Sequence, residues 1–199
     1  MGTYRQRLRQ VTAERGNLCV GIDPHASLLS AWDLPLTAAG VERYCRTIVD
    51  ALGDTVAVFK PQSAFFEAHG SAGVAVLERV LADIAAAGAL SILDVKRGDI
   101  GSSMAGYAAA FLGADAPTRA DAITLSPYLG VGSLSPAIDA AVAGGQGLYV
   151  LARTSNPEGA SVQLALGREG SVVQEIIDAA IELNSRARTR ACLRAGKPP

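Results

Sequence analysis

The segment Asp94-Val95-Lys96-Arg97-Gly98-Asp99-Ile100 holds the residues best suited to chemistry. Asp94 and Lys96 lie two positions apart at the end of an apolar run. On an extended strand their side chains would share a face, about 6.6 Å apart. Ile92 and Leu93 lead directly into them. A carboxylate and an ammonium at the buried end of a strand are costly unless they pair or act on something. Asp99 follows in the loop before the next helix, placed to cap that helix or to reach another subunit. A solvated ion pair at a strand end is the plainer account of the same spacing. Lys60 precedes Pro61 and Asp23 precedes Pro24. Each proline holds the residue before it extended, which aims that side chain along its strand. Either residue alone is more often a surface charge. Together, two lysines and two carboxylates with Asp99 nearby suit proton handling and charge stress rather than a metal cage, because ammonium groups compete with a cation.

These residues need elements to hold them. Short apolar runs at Leu18 to Asp23, Thr55 to Lys60, Ala89 to Lys96, Ala122 to Ser126 and Gly147 to Arg153 read as strands. They are continuous rather than alternating, as parallel strands covered on both faces are. Between them the spacing predicts helices over Thr37 to Leu52, Gly73 to Ala87, Ser102 to Leu112, Ser133 to Ala143 and Ser171 to Leu183. Thr37 is placed as an N-cap and Gly88 as a stop signal. Alternating strands and helices imply right-handed crossovers and a parallel sheet. An open doubly wound sheet is the default, but every strand ends at its C-terminal side in charged or hydrogen-bonding residues. In a (β/α)8 barrel those ends converge on one mouth, whereas an open sheet spreads them along a line. The expected fold class is therefore α/β of the (β/α)8 TIM-barrel type, with about five of eight units present.

Composition narrows the function. Eighteen basic residues against nineteen acidic ones leave a net charge of −1, no field for gathering nucleic acid or an anionic membrane. Cys19, Cys45 and Cys192 are odd in number and far apart, suggesting neither a disulfide framework nor a zinc site. Met1 to Gly16 carries four arginines and no apolar core, so it is not a secretory signal, and no apolar run is long enough to span a bilayer. A cytoplasmic protein is expected. The weaker signals have plain readings. Gly130-Val131-Gly132-Ser133 is a near miss to a dinucleotide fingerprint and reads as a turn into a helix capped by Ser133. His25 belongs to the first loop, Phe65 and Phe66 to the core, and Glu78, Arg79 and Asp83 to a solvated helix face.

The D-x-K-x-x-D-I pattern resembles the signature of the orotidine 5′-phosphate decarboxylase family. LCVGIDPH (Leu18 to His25), VFKPQSAFFE (Val58 to Glu67), ILDVKRGDIGSS (Ile92 to Ser103), TLSPYLG (Thr124 to Gly130) and RTSNPEGA (Arg153 to Ala160) are similar to its bacterial branch, of the mycobacterial type. Five motifs in order, from the N-terminus to about Ile181, are far more specific than any one. The resemblance implies that Lys60, Asp94, Lys96 and Asp99 form a charged tetrad, with Asp99 contributed across a homodimer interface. It implies that Asp23, helped by Lys60, binds the ribose hydroxyls. Ile100 and Ser103 would reach the partner's site with Asp99, and Ser155 would hydrogen-bond the pyrimidine of a nucleotide substrate. Loss of carbon dioxide from carbon 6 leaves a carbanion with no conjugated sink. Asp94 would disfavour the ground state beside the leaving carboxylate, and Lys96 would stabilise and then protonate the carbanion. That scheme needs no cofactor and no metal.

The resemblance fades towards the end. Residues 184–199 are rich in arginine and show no strand pattern, and they are read as a basic tail, non-native or disordered, after a partial barrel over 1–183. No counterpart of the family's later proline–glycine–glutamine loop or final arginine, which grip the phosphate, is found. A chain cut short in this way is expected to have little activity, since phosphate binding supplies remote binding energy for the chemical step. Two other functions fit parts of the pattern. One is a magnesium-dependent sugar-phosphate decarboxylase or aldolase of the same superfamily, acting on a compound such as 3-keto-L-gulonate 6-phosphate. The R-T-S-N-P and K-P-Q-S-A-F-F-E strings favour the pyrimidine enzyme over it. The other is a non-catalytic fragment.

Overall fold

A computed structural model describes residues 2–168 and 170–194, with side chains described as far as residue 186. In chain order the elements are α1 (Tyr4–Arg15), β1 (Cys19–Ile22), α2 (Ala26–Ala31), α3 (Ala38–Leu52), β2 (Val58–Pro61), α4 (Ala64–Glu67) and α5 (Gly70–Ala86). There follow β3 (Leu90–Arg97), α6 (Gly101–Phe111), β4 (Ala122–Leu125), a 3-10 turn at Val131–Leu134, α7 (Ser135–Gly144) and β5 (Gly147–Val150). A second 3-10 turn (Pro157–Gly159), α8 (Ala160–Gln163) and α9 (Val172–Arg194) complete the list. The five strands form one parallel sheet in the order β1-β2-β3-β4-β5. Sequential order without a switch point is the order of a barrel wall, and the chain is a partial barrel of the TIM type.

Parity along the strands divides the core. Phe59, Leu93 and Ile123 face outward into the main cluster, against Val41 of α3, Val76, Leu77, Val80 and Ile84 of α5, and Met104 of α6. The alternate residues Val58, Leu90, Ile92 and Ala122 face inward and pack against Tyr4 and Val11 of α1. The inward face is thus apolar at the N-terminal ends of the strands, and α1 closes that end. Two positions further along the same face stand Lys60, Asp94 and Thr124.

The helix α1 is absent from the expectations above. Its start is a capping box: Gln6 N–H donates to Thr3 Oγ1, and Thr3 N–H donates to Gln6 Oε1 at 2.8 Å. Arg7 pairs with Asp121, and Arg15 donates to the carbonyls of Gly53 (2.7 Å) and Ala87 (3.0 Å) at the C-terminal ends of α3 and α5. A cation there satisfies carbonyls that a helix end leaves unpaired.

Several expectations shift. Thr37 occupies the N-cap position of α3 but its side chain makes no capping bond. Gly88 stops α5 as expected, at φ +72°. Ser133 does not cap α7; its hydroxyl donates to Gly130 O at 2.7 Å, and the helix begins at Ser135 with Pro136 in its first turn. A proline there needs no N–H partner, which fixes the start later than the serine suggests. Glu78 and Arg79 are exposed, but Arg79 forms a two-pronged bond to Glu42 of α3, and Asp83 pairs with Arg46. The last helix extends through Leu183 to Arg194, and residues 195–199 of the basic tail lie outside the described residues. Phe66 is fully buried, while Phe65 meets the ring of His25 edge-on at 4.3 Å.

Candidate active site

The inward face of β2, β3 and β4 builds the site. Asp94 is its centre, with a side chain only 4% exposed. Lys60 Nζ donates to Asp94 Oδ2, and Lys96 Nζ lies 2.7 Å from both carboxylate oxygens. Gln62 Nε2 donates to Oδ2 at 3.0 Å and Thr124 Oγ1 to Oδ1 at 2.8 Å. Burial alone would raise the Asp94 carboxyl. The hydrogen bonds from Lys60, Lys96 and Thr124, with the Lys60 charge, outweigh it and hold the group down at about 2. Asp94 is therefore an ion at neutral pH. The two ammonium groups are 37% and 46% exposed, so a buried anion carries two cations that open to the mouth. The trio has a net charge of +1, suited to an anionic ligand.

Lys96 reaches Asp94 by a route that alternation does not describe. Its φ is +45°, a left-handed conformation unusual outside glycine. The β3–β4 register jumps here: Leu93 pairs with Ile123 and Arg97 with Leu125. Three residues of β3 thus stand opposite Thr124 alone, a bulge of the kind that re-aims side chains beside active sites. The Thr124 hydroxyl replaces the missing ladder partner, accepting from Val95 N–H at 3.0 Å and Lys96 N–H at 2.9 Å. The expected same-face pairing of Asp94 and Lys96 on a regular strand is corrected to pairing across this bulge. Gly98 then passes so close to β4 that a Cβ would lie 2.2 Å from Ser126 O; only glycine fits.

The other candidates lie around this centre. Asp23 follows β1 and is half-buried. Its parity, set by the Gly21–Lys60 register, places it on the inward face. Asp99 is not drawn into the trio. Its carboxylate accepts from Ile100 N–H at 2.8 Å, and among the described residues it forms no ion pair. Ile100 and Ser103 are exposed beside it at the start of α6. Ser155 is exposed on the loop after β5. That loop leaves the sheet at Val150, earlier than Arg153, because Gln163 of α8 folds it back: Oε1 accepts from Thr154 N–H at 3.1 Å and from Arg153 Nη1 at 3.2 Å. Sequence reasoning gave no role to Gln62 or Thr124, although both lie in quoted motifs. Gln62 stands two positions after Lys60, a spacing legible in the sequence, whereas Thr124 meets Asp94 only through the pairing of β3 with β4.

A clamp lies just outside. Arg97 pairs with Glu67, which accepts from the Ser63 hydroxyl, and its guanidinium stands 5.6 Å from the Tyr107 ring centroid. Among the described residues no three His, Cys, Asp or Glu side chains gather as a metal site needs, and no helix is long and apolar enough to cross a membrane.

Comparison with known proteins fits this geometry. Residues 16–190 match the model of the "Orotidine 5'-phosphate decarboxylase / HUMPS family". A Salinispora tropica protein named orotidine 5′-phosphate decarboxylase is 55% identical over 189 residues, covering 94% of this chain and 68% of the relative. One of the same name from Streptomyces coelicolor is 60% identical over 173 residues, covering 87% and 62%. A solved structure from Streptomyces avermitilis, described as an orotidine 5′-phosphate decarboxylase, superposes with a TM-score of 0.84 at 59% identity, covering 86% of this chain and 60% of that one. The Leishmania donovani OMP decarboxylase structure gives 0.73 at 32% identity, covering 87% and 63%. The chain spans 60–68% of the length of these relatives.

Proposed function

The chain belongs to the orotidine 5′-phosphate decarboxylase / HUMPS family, and from that premise we propose that it decarboxylates orotidine 5′-phosphate to uridine 5′-phosphate, the last step of de novo pyrimidine synthesis. The observation that carries the reading is the buried Asp94 carboxylate held between Lys60 and Lys96 on the inward face of a parallel sheet. The names of relatives 55% and 60% identical favour this reaction over the magnesium-dependent sugar-phosphate reaction. The work assigned to the protein is electrostatic. The bond between carbon 6 and the carboxylate breaks, its electron pair stays on carbon 6, and carbon dioxide leaves. Asp94, unable to take a proton at neutral pH, disfavours the carboxylate in the ground state. Lys96 stabilises the developing carbanion and transfers a proton from Nζ to carbon 6, then regains one from solvent.

Lys60 orients Asp94 and, with Asp23, serves the ribose hydroxyls; Ser155 addresses the pyrimidine. Asp99, Ile100 and Ser103 are assigned to the partner's site in a homodimer, which accounts for a half-buried Asp99 that stands beside α6 and outside its own trio. A cytoplasmic setting goes with this reading, as does the reading of 1–183 as barrel and 184–199 as tail. The test is ultraviolet loss of orotidine 5′-phosphate by purified, folded protein without added metal, with Lys96→Ala as control. Slow turnover that disappears in the control is expected. A rate unchanged in Lys96→Ala, or one that requires magnesium, overturns the reaction. Absence of any turnover assigns the chain to the non-catalytic alternative.

A further inference from the structure

We infer that Thr124 is a positioning residue whose hydroxyl locks Lys96 in its left-handed turn and aims the Asp94 carboxylate at it. The inference rests on the reading of Lys96 as proton donor, but it stands on its own geometry. Thr124 is buried on the inward face of β4, 6% exposed. Its Oγ1 accepts from Val95 N–H and Lys96 N–H and donates to Asp94 Oδ1, at 3.0, 2.9 and 2.8 Å. Two lone pairs and one proton are all a hydroxyl has. All three are used on three consecutive residues of β3, of which two are charged members of the trio.

The bulge explains why a side chain takes this part. With Leu93 opposite Ile123 and Arg97 opposite Leu125, β4 offers no backbone carbonyl to Val95 and Lys96. Without the hydroxyl two amides near a buried carboxylate lose their acceptor, and an unpaired buried N–H is destabilising. The left-handed Lys96 is strained and persists only where its surroundings over-determine it. Losing the hydroxyl frees the Lys96 backbone from its left-handed turn and takes one donor from the Asp94 carboxylate, so the contact between ammonium and carboxylate is no longer held in one geometry. Thr124 touches none of the groups assigned to the reaction's bond changes except through Asp94 and Lys96, so its effect should fall on the chemical step rather than on substrate affinity.

Thr124→Val keeps the shape and removes the hydroxyl; Thr124→Ser keeps the hydroxyl. In the folded chain, Thr124→Val is expected to speed hydrogen exchange at the Val95 and Lys96 amides by at least about tenfold. It should also raise the Asp94 carboxyl midpoint, followed by carbon-13 NMR, by at least about half a pH unit. In the decarboxylation assay, kcat should fall by at least about tenfold with KM within about threefold. Thr124→Ser should restore all of these. Parent-like amide protection and Asp94 midpoint in Thr124→Val overturn the inference, as does a loss that Thr124→Ser fails to rescue. If the parent chain shows no turnover, the reaction assignment fails while exchange and carboxyl titration still decide the role of Thr124. Should Thr124→Val not fold, Thr124→Ala is read in the same way. If that also fails, Thr124→Ser decides, since parent-like exchange and titration support the inference and their loss overturns it.

Discussion

Asp94 is the residue on which both stability and chemistry turn. Its carboxyl sits at about 2, below the ordinary carboxylate value near 3.8, so the folded state favours its ionised form. A group depressed in this way contributes stability that is fully present above the unfolded value and is lost as pH falls from about 4 through about 2. The size is on the order of 2 kcal/mol. Urea unfolding of the parent and of Asp94→Asn should therefore differ by about that amount at neutral pH, and the gap should close over the same acid window. A gap constant between pH 6 and pH 2 would contradict the ion-pair account. At this scale the sequence was informative about charge and silent about its geometry. The Asp94–Lys96 spacing implied a shared face, and the contact does exist. The bulge, the left-handed Lys96 and the bond from Thr124 depend on which strand lies alongside, and no spacing within β3 encodes that.

At the scale of elements, the five strands and five long crossover helices follow from apolar runs and helical periodicity, with ends moved by a few residues. The helix α1 does not, because few of its residues are buried: Tyr4 and Val11 alone lie in its buried set. Its legible trace was the Thr3–Gln6 capping box, which marks a start without saying what the helix covers. Its position is decided by long-range bonds, and Arg15 is the clearest of these. Arg15→Ala leaves the carbonyls of Gly53 and Ala87 without their cation, and is expected to lower stability by about 1–2 kcal/mol with the trio's geometry intact. Thermal unfolding with and without the substitution measures this. A change below about 0.5 kcal/mol would show that water replaces the arginine fully.

For the whole molecule, sequential strand order and inward parity bring Lys60, Asp94 and Thr124 to one end of a partial barrel. The outer strands leave part of that interior open: Cys19 on β1 is exposed, and Tyr149 on β5 is 40% exposed. Unpaired strand edges of this kind favour association with other chains. The 199-residue chain is expected to fall at least about tenfold below the longer Streptomyces coelicolor relative in kcat/KM, because remote binding contributes to the chemical step. Parallel assays at matched folded concentration check this, and equal values would show that five strands suffice. The dimeric assignment of Asp99 has its own test. Lys96→Ala and Asp99→Ala, each silent alone, should on mixing recover about one quarter of the parent's sites, since random pairing leaves one intact site in each mixed dimer. No recovery after verified subunit exchange would place Asp99 outside the partner's site.

The sequence by itself determined the parallel α/β class, the charged strand ends and the residues of the candidate site, because burial periodicity and charge type are local properties of a chain. Its motifs also carried the family. Only the tertiary structure decided that α1 plugs the apolar end, that Lys60 of β2 and Thr124 of β4 converge on Asp94 of β3, and that Asp99 stays apart from them. These are relations between strands 30 or more residues apart in the chain. They are set by register and by one bulge, which exist only once neighbouring strands have paired.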